Sequence, residues 1–150
     1  MLKYIMPFVL LATLMTSCID YEEVRLVSVN ETDLERITPE GVVIRVKATV
    51  DNPNEYKISL NTKDLKVYLN GKYLGVANLR DKIQLKPKKV DEYEFYMVSE
   101  IPADGNIDIG TLAQGTLMGS LRLKVEGKIQ AKAKGITRSI DVSFDRNLTM

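Results

Sequence analysis

The chain has 150 residues, 45% of them hydrophobic, with 21 basic and 20 acidic side chains and a formal charge of +1. That length predicts one domain, and the balanced charge lacks the basic excess of nucleic-acid binders, so no nucleic-acid partner is expected. Histidine is absent and cysteine occurs once, which excludes Ser-His-Asp and Cys-His catalysis and any zinc site built from histidine or several cysteines. Proton transfer near neutral pH would fall to carboxylates or lysines shifted by burial. The chain is therefore read as no enzyme, with no catalytic residue, no metal and no other cofactor.

Residues 1–17 carry one charge, Lys3, then an apolar run over residues 4–15, then the small residues Thr16 and Ser17 before Cys18. Charge, apolar run and small residues in that order make a secretory signal. The run is about a dozen residues, short of the roughly 20 that span a bilayer. Leu14-Met15-Thr16-Ser17-Cys18 resembles the bacterial lipobox, with Met15 where leucine is commoner. The resemblance implies a diacylglycerol thioether on Cys18, cleavage just before it, and acylation of the new amino terminus by a chain such as palmitate. One acyl chain binds a membrane only marginally; two or more hold firmly, at about 0.8 kcal/mol per buried CH₂. An ordinary secretory signal with an incidental cysteine is the alternative. Residues 18–23 then form a lipidated acidic tether through Asp20, Glu22 and Glu23. This cluster is similar to the export signals of surface lipoproteins in Bacteroidota, and equally fits a solvated spacer.

The domain is predicted over residues 24–150. Residues 24–37 begin as a strand around Leu26. Residues 41–50 alternate most clearly: Val42, Ile44, Val46, Ala48 and Val50 share one face, and Arg45, Lys47 and Thr49 the other, as expected for a strand with one buried side. Asp51-Asn52-Pro53-Asn54 interrupts this with turn residues. Ile58 and Leu60, then Leu65, Val67 and Leu69, resume extended chain. Asn70-Gly71 between two alternating runs predicts a hairpin, because both residues accept positive φ. A short strand holds Ile83 and Leu85 and stops near Pro87. Tyr93, Phe95 and Met97 share one side of the next. Residues 107–118 lose alternation and predict a short helix, weakened by Gly110 and Gly115. Residues 121–133 form a long strand, Gly135 turns the chain, and Ile140, Val142 and Phe144 fill the last strand. Seven or eight strands with one short helix predict an all-β, two-sheet sandwich of the immunoglobulin or fibronectin-III kind.

Val50-Asp-Asn-Pro-Asn54 after a strand, then Leu65-Lys-Val-Tyr-Leu-Asn-Gly71, Leu74-Gly-Val-Ala77 and Leu123-Lys-Val-Glu-Gly-Lys-Ile-Gln-Ala131 resemble the late-embryogenesis-abundant type 2 proteins and the related water-stress and hypersensitive-response (WHy) domain. The resemblance runs from about Gly41 to Phe144. It implies an immunoglobulin-like or fibronectin-III-like sandwich with a small helix. Stress response is a role of plant members and transfers by analogy alone.

Several candidates have competing readings. Asp51, Asn52 and Asn54 carry oxygens suited to calcium, but turn chemistry explains the same residues, and Asn52, Pro53 and Asn54 are taken as a structural family-motif turn. Lys82, Lys86, Lys88 and Lys89 could meet anionic lipid, or form a solvated loop diluted by Asp81, Asp91 and Glu92. Gly127 marks a bulge or close packing. The expected whole is a lipid-anchored module of the bacterial cell envelope, at the outer membrane and facing either the periplasm or the exterior. Its membrane lipid contact is acylated Cys18, and its further partner is a protein or glycan. The alternative is a structural subunit of an envelope assembly.

Overall fold

A computed structural model describes residues 20–100, 110, 114–115, 117–119 and 121–148. The described strands are β1 (Arg25–Thr38), β2 (Gly41–Asn52), β3 (Ile58–Leu69), β4 (Lys72–Leu79), β5 (Ile83–Leu85), β6 (Lys89–Glu100), β7 (Arg122–Ala133) and β8 (Ile136–Asn147). Every strand pairing is antiparallel.

Alternation builds these elements. In β2 every second residue from Val42 to Asn52 is buried and the intervening ones are partly exposed. The even positions pack on a core and the odd ones lie on the outer face, where Arg45 and Lys47 form ion pairs. Hydrogen bonding follows the order β1-β2-β6-β4-β3-β7-β8, with β5 on the side of β3. This path folds back on itself into two layers. One holds β1, β2 and most of β6; the other holds β3, β5, β7 and β8. The hinge is the short pairing of Ala77, Asn78 and Leu79 in β4 with Ser99, Val98 and Met97 in β6. One apolar cluster fills the space between the layers, with Ile44, Val46 and Phe95 from one side and Leu65, Val67 and Val125 from the other. An apolar void of about 60 Å³ remains within it. Thr32 of β1 donates its hydroxyl to the Asn147 carbonyl of β8 at 2.8 Å, joining the two outer strands.

The all-β sandwich therefore stands, as do the hairpin at Asn70-Gly71 and the buried faces of β2, β3, β6 and β7. Asn70 and Gly71 have φ of 49° and 78°, as a type I′ turn requires. Gly127 is the close approach: a Cβ there would lie 1.8 Å from the Asp64 carbonyl oxygen, beside the register shift between Thr62 and Asp64. β1 runs further than its sequence suggests. Three register shifts, after Leu26, Val29 and Leu34, break its period, since each bulge changes the face on which later residues fall. Of the helix predicted over residues 107–118, Gly110, Gln114, Gly115 and Leu117 are helical, and Met118 donates its amide to the Gln114 carbonyl at 3.0 Å. The rest of that helix, the signal segment and Cys18 lie outside the described residues.

Candidate functional site at the Asn-Pro-Asn turn

β2 ends at Asn52, and the chain must reverse before β3 begins at Ile58. Pro53 suits this place because it has no amide hydrogen to satisfy. The two flanking asparagines do more than bend the chain. Asn52 is fully buried and Asn54 is 3% exposed, so each must satisfy its amide within the protein.

Asn52 does so completely. Its Nδ2 donates to the carbonyls of Tyr56 and Lys86, both at 3.1 Å. Its Oδ1 accepts from the Asn54 backbone amide at 3.1 Å and from Asn54 Nδ2 at 3.0 Å. Two donors and two lone pairs exhaust what a side-chain amide offers. Asn54 extends the network in two directions. Its carbonyl accepts the Lys88 amide at 2.8 Å. Its side chain grips the segment before β1: Oδ1 accepts the Glu22 amide at 2.7 Å and Nδ2 donates to the Glu22 carbonyl at 2.8 Å. An asparagine side chain here stands in for the backbone of a missing strand neighbour.

The segment so gripped, residues 20–24, is a strap along this end of the sandwich. The Tyr56 hydroxyl donates to the Asp20 carbonyl at 3.3 Å. Val24 is 2% exposed and Tyr21 packs against the core. Burial pushes the Tyr21 phenol above its ordinary pKa, and among the described residues its buried hydroxyl has no hydrogen-bond partner. The Arg138 guanidinium lies 5.7 Å from the Tyr21 ring centre, and Lys134 Nζ lies 4.8 Å from that of Tyr56. Asp20, Glu22, Glu55, Lys88 and Lys134 rim a polar recess of about 350 Å³ over this turn.

The other candidates fall into place around it. Both amide oxygens proposed for calcium face chain donors, and Asp51 instead lies 3.7 Å from Arg25; among the described residues no group of three acidic, cysteine or histidine side chains could hold a metal. In the basic loop, Lys86 and Lys89 approach Asp91 at 3.3 and 3.5 Å. The Glu92 amide and then Lys86 hold the Asp91 carboxyl below the usual range. Phe95 and Met97 are core, and the Tyr93 hydroxyl accepts the Lys86 amide at 2.9 Å. Away from this end, Arg45 bridges Asp33 and Glu94 across three strands, with the Tyr96 hydroxyl on Glu94 at 2.5 Å. The strap was not foreseen. Its signal in the sequence is the pair Tyr21 and Val24, apolar side chains set among acids.

Residues 47–148, more than half the chain, match the family model of late embryogenesis abundant proteins. The chain belongs to this family. The late embryogenesis abundant match contains the Asn-Pro-Asn turn and begins inside β2, so the strap and β1 precede it. No curated protein matches the sequence. Among solved structures, a protein from Archaeoglobus fulgidus superposes with a TM-score of 0.53 at 14% identity, covering 84% of this chain and 98% of that one. A protein from Arabidopsis thaliana solved in solution gives 0.52 at 15% identity, covering 87% and 85%. At these identities the likeness concerns the fold.

Proposed function

We propose that this late embryogenesis abundant protein is a membrane-anchored lipoprotein: the leader is removed, Cys18 carries the lipid, and a non-catalytic sandwich is presented in the bacterial envelope, at the outer membrane, as a binding or stress-related module. The observation that carries this reading is the position of the lone cysteine, directly after an apolar run and two small residues. The absence of histidine from the sequence supports a non-catalytic domain.

Fractionation of cells expressing wild type and Cys18→Ala tests the anchor. Wild type is expected in the membrane fraction and resistant to alkaline wash. The variant is expected to be released, or to keep its leader. Equal amounts of both forms in the soluble fraction would defeat the proposal. The assembly-subunit reading draws on β6, which has β2 on one side but meets β4 only at Met97, Val98 and Ser99. Among the described residues no strand pairs with residues 89–95 on that side, an edge another chain could extend. A second chain recovered at stoichiometric yield from a detergent extract would favour it.

A further inference from the structure

The strap does more than complete the core, because it fixes where the chain leaves the domain. Asp20 is held over the Asn-Pro-Asn turn through Tyr56, and Glu22 through both side-chain atoms of Asn54. Cys18 is two residues before Asp20, and two extended residues reach at most about 7 Å. A lipid on Cys18 must therefore enter the membrane beside this turn, whatever path those two residues take. The opposite end, with the Asn70-Gly71 hairpin, is a full strand away. The 12 residues of β2 put that separation at roughly 40 Å.

From this geometry we infer that the domain stands on the membrane with its Asn-Pro-Asn end against the phospholipid headgroups, oriented by the strap instead of swinging on a free tether. The inference rests on the lipoprotein reading above. The chemistry of that end suits a zwitterionic surface. Lys88 and Lys134 share their recess with Asp20, Glu22 and Glu55, so cations are present for headgroup phosphates and carboxylates for headgroup ammonium groups. Lys57, Lys86, Lys89 and Lys132 are exposed nearby. A surface of one sign would repel part of such a headgroup; this one offers partners to both of its charges.

The test uses full-length lipidated protein in phosphatidylcholine vesicles containing headgroup-spin-labelled phosphatidylcholine. Two single variants, Glu55→Cys and Lys72→Cys, carry a fluorophore at the near and far ends; the thiol of Cys18 is blocked by its lipid. Intact mass is measured first on both. Strong quenching at position 55 and only background quenching at position 72 is the expected result. Inserting a Gly/Ser linker of about 16 residues between Ile19 and Asp20, with a root-mean-square span of about 22 Å, should remove the contrast without touching the domain. Equal quenching at both positions on lipid-bearing protein, or a contrast unchanged by the linker, would overturn the orientation and leave the anchor standing. A mass without diacylglycerol would overturn both.

Discussion

The two ends of the sandwich are closed by different physics. At the far end the chain reverses where Asn70 and Gly71 adopt positive φ, and the exposed Asn70 reaches one distant residue, accepting the Arg122 amide at 2.8 Å and donating its own amide to the Arg122 carbonyl at 2.9 Å. At the Asn-Pro-Asn end closure is both non-local and buried. Asn52 and Asn54 connect residues 22, 56 and 86 through buried side-chain amides, and residue 88 through the Asn54 backbone carbonyl. An exposed turn tolerates change because water can replace the partners it loses. A buried amide network does not, since each deletion strands partners that water cannot reach.

Substitutions at the two ends should therefore differ in size. Asn52→Ala would leave the Tyr56 and Lys86 carbonyls and the Asn54 amide without their partner, and should lower unfolding free energy by about 3–5 kcal/mol in urea. A loss under 1 kcal/mol would mean that the network relaxes or fills with water. Asn54→Ala should cost about 2 kcal/mol, and hydrogen exchange should show its specific mark, faster exchange of the Glu22 amide. Gly71→Ala sharpens the contrast from the other end. A Cβ there meets nothing within 4 Å, so only the positive φ is penalised, by about 1 kcal/mol; thermal unfolding can resolve that.

The smallest effect concerns pH. Asp91 has a folded-state pKa held below its ordinary value by the Glu92 amide and then Lys86. A depressed carboxyl stabilises the fold above its unfolded pKa of about 4, and that contribution fades as pH falls through the lowered value. Asp91→Asn should thus differ from wild type near neutrality and converge with it in acid. A difference that grows below about pH 4 would contradict the stated cause.

How much of this was legible in the sequence depended on how local the signal was. Val42 to Val50 named their face by alternation, and Asn70-Gly71 named their turn by composition. β1 was only partly legible, because its three bulges shift the phase within 14 residues. Asn52 and Asn54 were visible as turn residues. Their burial was not, because it depends on Lys86, Lys88 and Glu22 arriving from 32 to 34 positions away. The acids at Asp20, Glu22 and Glu23 read as an export signal or a solvated spacer for the same reason. What binds Glu22 is its backbone, which composition does not display.

The anchored strap is the central claim, and intact-mass analysis of the native protein from the membrane fraction tests its root. The account expects a chain that starts at Cys18 and carries diacylglycerol, with or without a further amide-linked acyl group. A native chain that retains Met1 and an unmodified thiol would contradict it.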